Sequence, residues 1–248
     1  MSYQRIISLV PSLTQLILDL GLGNRLVGRT RFCIHPEKLV NDIPIIGGTK
    51  NPNIEKILSL NPDYIIANRE ENRKEDVEKL QAYAEVNITE IDTINDAINV
   101  ICELGGDLGL ASNAQKLVDE IMLLLSQSSE YPALKTAYFI WRDPWMVAAS
   151  GTYIDSVMKH YNLENVFSDQ QRYPQISLGD LQEQNPVLIL LSSEPFPFKQ
   201  KHIEEIQEFC PDSKIELING EWFSWYGSGM LEAFERLNVW RAKIDTSI

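Results

Sequence analysis

Residues 112–128, SNAQKLVDEIMLLLSQS, decide how the chain is organised. Ala114, Leu117, Val118, Ile121, Leu124 and Leu125 recur at spacings of three and four, which gathers them into an apolar stripe along one face of a helix. No Gly or Pro interrupts the run, and Ser112 with Gln115 three residues on has the spacing of a capping box. At about 1.5 Å per residue such a helix is about 25 Å long, comparable to the width of a small lobe. On periodicity alone it reads as an ordinary surface helix. A strand-helix alternation of similar length on each side turns it into a link between two α/β lobes.

Upstream, the apolar run 6–10 (IISLV) has the character of a buried strand and ends at Pro11. Ser12 and Gln15 repeat the capping spacing for a helix that Gly21 stops, and a strand running into a capped helix presents free amides, so Ser12 is a candidate ligand contact. A second short strand, 26–28, leads into the loop 29–36, RTRFCIHP. That loop concentrates Arg31, Phe32 and His35 as candidate ligand contacts; Cys33 and His35 are two possible metal ligands, too few without a second Cys/His cluster. Asn51 as N-cap with Pro52 at the first helical position opens a helix that reaches Leu60, where Asn61-Pro62 breaks it before the strand 64–67. The cluster 68–73, NREENR, follows that strand's carboxyl end, the edge at which parallel sheets bind ligands, and places Asn68 and Glu70 there; it also reads as a solvated helix start. Val77, Leu80 and Tyr83 mark the next helix, 86–91 a strand, and 94–108 a helix ending at Gly109.

Downstream, the strand 136–140 runs into Trp141, Arg142 and Trp145, whose indoles either stack on a flat ligand or lie buried beneath the loop. Thr152 with Asp155, and Ser177 with Asp180, open two further helices, the second ending at Asn185-Pro186 before the strand 187–191. Aligning Asn61-Pro62 with Asn185-Pro186 brings Ile54 onto Leu178, Ile57 onto Leu181, and Ile65-Ile66 onto Ile189-Leu190. An echo at half the chain length indicates two equivalent lobes, since solenoid repeats have periods of about 20–50 residues. After the strand 214–218 come Trp222, Phe223, Trp225 and Tyr226, four aromatics within five residues; burial accounts for two, and the others are expected to face a ligand.

The 248 residues carry a formal charge of -13 with no Lys/Arg-rich run, which excludes a nucleic-acid groove or an anionic membrane surface as partner. Cys33, Cys102 and Cys210 cannot all pair and are read as free thiols. GxSxG, P-loop and HExxH patterns are absent from the sequence. The expected location is periplasmic or cell-surface if a signal segment was removed and cytoplasmic if the sequence is complete as given.

In order and spacing, RIISLVPSLTQ (5–15), LVG (26–28) and NIEKILSLNPDYIIA (53–67), with YPQIS (173–177) and GEWF (220–223) more loosely, carry a family resemblance. The chain resembles the substrate-binding proteins of ABC importers for cobalamin, iron-siderophores and haem, the helical-backbone class III periplasmic binding proteins, and within them the cobalamin-receptor branch. The resemblance implies an α/β fold of two Rossmann-like lobes with parallel sheets, 1–110 and 131–248, joined by a backbone helix, 111–130, with the ligand cleft between lobes. Phe32 and His35 match cleft tyrosines of that branch, Tyr173 a cleft tryptophan and Glu221 a cleft aspartate. Thr49 and Asn68 stand where the branch has tryptophans, and Trp225 where it has an arginine.

The expected ligand set is Ser12, Arg31, Phe32, His35, Asn68, Glu70, Trp141, Arg142, Trp145, Tyr173, Glu221, Trp225 and Tyr226, with the arginines meeting ligand acids, the aromatics stacking and Glu221 accepting amide protons. For transporter docking Glu55 matches the family's first acidic residue; Gly179 falls at the second, with Asp180 beside it as the expected substitute. The resemblance implies a monomeric, non-enzymatic protein with no intrinsic cofactor or metal, whose ligand is a corrinoid, haem or a ferric siderophore and whose partners are ABC permease subunits. The alternative is a cytoplasmic chelatase-like enzyme on the same fold, with Cys33, His35 and Glu70 or Glu71 near a metal.

Overall fold

The structure is a computed structural model that describes residues 3–128 and 131–244. In chain order the first half forms β1 (Ile6–Ser8), α1 (Pro11–Asp19), β2 (Leu26–Arg29), α2 (Glu37–Val40), α3 (Ile54–Ser59), β3 (Tyr64–Asn68), α4 (Lys74–Gln81), β4 (Glu85–Thr89) and α5 (Ile94–Asp107). The long helix α6 (Ala111–Ser126) follows, then β5 (Leu134–Trp141), β6 (Met146–Val147), α7 (Tyr153–His160), β7 (Leu163–Asn165) and α8 (Leu178–Gln184). The chain closes with β8 (Leu188–Ser192), α9 (Gln200–Gln207), β9 (Lys214–Ile218), α10 (Glu221–Ser224) and α11 (Gly229–Ile244). None of the described helices is long and apolar enough to cross a membrane.

The first sheet is fully parallel in the order β2-β1-β3-β4. Its central strands β1 and β3 are buried along their whole length, as strands covered on both faces must be. Ile7, Leu9, Ile57, Ile65, Val77 and Leu80 form the core there. The second sheet runs β6-β5-β8-β9, parallel except for β6, and β7 lies parallel against the start of β5. Thr136 pairs with both Asn165 and Leu188, and Phe139 with both Val147 and Leu191, so β7 and β6 share the edge of β5 opposite β8.

Two compact units result. One comprises the chain up to Ile91, Asn95–Met122 and Tyr226–Met230; the other comprises Asp92–Ile94, Leu123–Trp225 and the chain from Leu231. The chain passes from one to the other inside α6, and short segments on each side of that helix, 92–94 and 226–230, belong with the opposite half of the sequence.

Along α6, Ala114, Val118, Ile121 and Leu125 are buried while Met122 and Leu123 are exposed, the stripe its spacing predicts. Gly105 lets α5 approach α6: a Cβ there would lie 2.3 Å from that of Ala114. The start of the helix differs from expectation. Leu110 O accepts from both Asn113 N and Ala114 N, so the helix opens at Ala111, Ser112 sits inside the first turn, and Gln115 donates to Asp119 instead of closing a capping box. A similar shift occurs in α1, where Pro11, with its φ preset for a helix, takes the first position and leaves Ser12 inside the turn. In α3 the cap is Asn53, accepting from Lys56 N at 2.9 Å, and not Asn51. Tyr83 lies past the end of α4 and is exposed, and β4 both begins and ends earlier than the run 86–91.

The internal echo is built into the backbone. Asn61 and Asn185 adopt left-handed φ of 45° and 47°, Asn53 and Ser177 cap α3 and α8, and β3 and β8 each pair directly with the first strand of their sheet. Asn tolerates this conformation better than most non-Gly residues, and the Pro that follows prevents either helix from continuing.

The α8 cap is a complete box. The Asp180 carboxylate accepts from the Ser177 backbone N–H at 2.8 Å and from its hydroxyl at 2.8 Å, which hold its pKa below the usual Asp value. A depressed folded-state pKa contributes stability that is fully present above the unfolded Asp value of about 3.9 and is lost as pH falls through the folded value. Asp180→Ala is therefore expected to lower the melting temperature at neutral pH and to shallow its fall on acidification, read by thermal unfolding at a series of pH values. Curves parallel to wild type at every pH would contradict this.

Candidate functional site

In the first sheet the chain leaves β1 for β2 on one side and returns to β3 on the other, so the strand order reverses between β1 and β3. In parallel sheets the crevice at the carboxyl ends of such a pair is where ligands bind. The β1–α1 turn, the Gly47–Lys50 loop and the turn after β3 meet there, and buried side-chain amides organise them. Asn68 Oδ1 accepts from Glu70 N (2.8 Å) and Glu71 N (3.2 Å), while its Nδ2 donates to Thr89 Oγ1 (3.2 Å). Thr89 in turn donates to Ala67 O at 3.0 Å. Asn72 Oδ1 accepts from Asn68 N at 2.8 Å, and its Nδ2 donates to Thr49 O (3.0 Å) and Leu9 O (3.3 Å).

The segment 226–230 closes the same unit. Tyr226 is buried and its hydroxyl donates to Glu71 Oε1 at 2.7 Å; burial first, then the Glu71 carboxylate, push the phenol well above its ordinary pKa, and Ser12 bonds to it as well. Gly227 follows at φ 82°, where a Cβ would lie 3.2 Å from Leu16 Cβ. Ser12, Asn68 and Tyr226 are thus bonded to other groups of this unit around the carboxyl ends of β1 and β3.

The loop after β2 is held from beneath. Buried Arg29 donates to Val40 O (2.8 Å), Cys33 O (3.1 Å) and Thr30 O (3.3 Å), and the buried Cys33 thiol accepts from Thr14 Oγ1 at 3.0 Å. Burial raises the thiol's pKa. The same loop leaves Phe32 52% exposed, with the Arg31 guanidinium 5.7 Å from its ring centroid and His35 half-buried beyond.

In the second sheet the reversal falls between β5 and β8. Trp141, at the end of β5, is 39% exposed and meets Phe196 edge-on. Arg142 pairs with Glu205 through two bonds of 2.6 and 3.1 Å, pairs also with Asp143, and lies 4.7 Å from the Trp145 ring centroid. The Trp145 ring, half-buried against the core, stacks on Phe198 and meets Phe139 edge-on. These contacts give both residues partners within the chain. Arg142 has its charge matched by carboxylates of this chain, and the half-buried Trp145 ring packs between Phe198 and Arg142.

After β8, Glu194 Oε1 accepts from Ser224 Oγ (2.7 Å) and from Trp225 Nε1 (3.2 Å). Tyr138 donates to Ser192 Oγ at 3.3 Å, and burial pushes its phenol upward. Of the four late aromatics, Phe223, Trp225 and Tyr226 are buried and Trp222 is half-buried. The chain accommodates three because it divides them: Phe223 packs on Tyr138 and Trp240, Trp225 bonds Glu194, and Tyr226 belongs with the first unit. Tyr173 and Glu221 are half-buried.

Glu55 is exposed as the second residue of α3; counted from the Ser177 cap, the second residue of α8 is Gly179, with Asp180 third and engaged in the cap. Among the described residues no three His, Cys, Asp or Glu side chains gather as a metal would require, so Cys33, His35 and Glu70 or Glu71 do not form such a centre. Asn72 and Glu71, which the sequence placed in the cluster 68–73 without this role, and Glu194 and Glu205, which it did not single out, are the organising residues. The Asn-x-x-x-Asn spacing directly after a strand was the available signal for the first; the Glu partners lie 155, 31 and 63 residues away along the chain.

Two parallel α/β units, each with a polar, aromatic loop cluster at its strand-order reversal, define a binding-protein architecture. The chain belongs to the periplasmic binding protein family, whose model matches residues 6–209. It is similar to the vitamin B12-binding protein of Yersinia pestis (strain Pestoides F), at 25% identity over 99% of this chain and 89% of that protein. In fold it is similar to the periplasmic vitamin B12 binding protein of Vibrio cholerae (TM-score 0.83, 22% identity, 99% of each chain covered). A further fold match is the periplasmic heme-binding protein RhuT from Roseiflexus sp. RS-1 (TM-score 0.84, 18% identity, 99% of this chain and 100% of that one).

The two indoles at the end of β5 should separate cleanly on substitution. Trp145→Ala is expected to cost about 2–4 kcal/mol through loss of core packing, whereas Trp141→Ala should change stability by less than about 1 kcal/mol. Urea unfolding of the two variants measures the difference, and equal losses would place both rings in the core.

Proposed function

We propose that this chain is the substrate-binding component of an ABC importer, that it acts by binding and not by catalysis, and that its ligand is a corrinoid or a related flat metal chelate. The observation that carries the reading is the loop cluster at each strand-order reversal, in a member of a binding-protein family whose B12-binding relative aligns with 99% of the chain. Arg31, Phe32, His35 and Glu70 in the first unit and Trp141, Tyr173 and Glu221 in the second are the proposed ligand contacts. Phe32 and Trp141 offer aromatic surface to a macrocycle face, and each has over a third of its surface exposed. Arg31 meets ligand carboxylate or amide oxygens, and Glu221 accepts amide protons. Ser12, Asn68, Arg142, Trp145, Trp225 and Tyr226 support these contacts from behind.

Delivery to permease subunits uses Glu55, and the protein works as a monomer outside the cytoplasm. The second acid of the family's docking pair has its position at Gly179, where an added Cβ meets nothing closer than Ser177 Oγ at 3.5 Å. A glutamate there fits the backbone.

Titration with cobalamin, dicyanocobinamide, haem and a ferric siderophore, followed by tryptophan fluorescence, tests the ligand class. At least one chelate is expected to bind, and Phe32→Ala with Trp141→Ala is expected to weaken it by about tenfold or more, equivalent to about 1.4 kcal/mol. No response to any of the four at tens of micromolar would overturn the proposal.

A further inference from the structure

We propose that Asn72 is a positioning residue that sets the ligand loops of the first unit; the inference rests on the reading of those loops as ligand-binding. Asn72 is 6% exposed, and its carboxamide bonds the backbone of three separate loops. One N–H reaches Leu9 O, 63 residues earlier, in the β1–α1 turn; the other reaches Thr49 O, 23 residues earlier; the oxygen accepts from Asn68 N. An Asn just before a helix usually caps that helix. Here the N-cap of α4 is Arg73, with no side-chain cap bond, so the Asn72 side chain serves the loops and not its own helix.

The three bonds lead on to the proposed contacts. Thr49 adjoins Gly48, which packs against Asn51 and the Arg31 and Phe32 side chains: a Cβ there would lie 2.4 Å from Asn51 Oδ1, 3.3 Å from Phe32 Cε2 and 3.4 Å from Arg31 Nε. Asn68, fixed through its N–H, orients the Glu70 and Glu71 amides through its own Oδ1. One buried carboxamide thereby sets the positions of Arg31, Phe32 and Glu70 without pointing at a ligand itself. Both N–H groups and the oxygen are needed: Asp has the same shape but sets a carboxylate oxygen against Leu9 O and Thr49 O, which have nothing to accept.

The test is hydrogen–deuterium exchange and chelate titration on the full chain carrying Asn72→Asp, with Asn72→Ser as the uncharged variant should the first fail to fold. Exchange is expected to accelerate about tenfold or more in 47–50 and 68–72 while the second unit exchanges as in wild type. Affinity for whichever of cobalamin, dicyanocobinamide, haem or a ferric siderophore the wild type binds is expected to fall by about tenfold. Unchanged exchange in those loops would overturn the inference, as would a uniform acceleration across both units, or faster loops with undiminished affinity. If the wild type binds none of cobalamin, dicyanocobinamide, haem or a ferric siderophore, the ligand reading fails, and the exchange pattern alone then decides whether Asn72 sets the loops.

Discussion

A buried parallel strand must end somewhere, and where it ends its next backbone groups lose their ladder partners while still shielded from water. Leaving one such group unpaired costs about 1–3 kcal/mol, so the turns beyond β1 and β3 are shaped by the need to pair them. Asn68, Asn72 and Thr89 supply the missing partners from side chains. The architecture that places loops at a strand-order reversal is common to many α/β proteins; the chemistry that fixes them here belongs to this chain.

The second unit meets the same constraint differently. Beyond β8 hydroxyls replace amides: Ser192 Oγ donates to Glu194 O and accepts from Glu194 N, Ser193 Oγ accepts from Gly220 N, and the Glu194 carboxylate gathers the Ser224 and Trp225 side chains. The two units therefore echo one another in helix, Asn-Pro break and strand, and diverge as soon as the strand ends. That divergence follows from what each part does. Breaks and strands are fixed by backbone geometry, whereas a loop is free to adopt any chemistry that satisfies its own polar groups.

The candidate site was partly legible. Arg31, Phe32 and Trp141 stand out in sequence as charge and aromatic surface at strand ends, and the fold leaves them exposed. Arg142, Trp145, Trp225 and Tyr226 carry the same sequence signal but are committed internally to Glu205, Phe198, Glu194 and Glu71. An arginine or tryptophan after a strand looks the same whether it faces a ligand or a distant partner of its own chain. Asn72 is the reverse case: a short polar residue in a charged run gives little local sign that its carboxamide holds three loops together.

By itself the sequence determined the type and order of the main strands and helices, because apolar periodicity, helix breaks and Asn-Pro stops are local properties set by backbone sterics; the short α2, β6 and β7 and the helix α9 were not legible in it. It determined the stripe of α6 and the repeat of the two halves for the same reason. Tertiary structure decided the rest. Helix starts moved by a residue or two where Pro11 and the Leu110 carbonyl set the first turn. The segments 92–94 and 226–230 joined the unit opposite their place in the sequence. Which polar side chains are scaffold and which remain to meet a ligand depends on partners up to 155 residues away, and no local pattern encodes a pairing that exists only once the chain has folded.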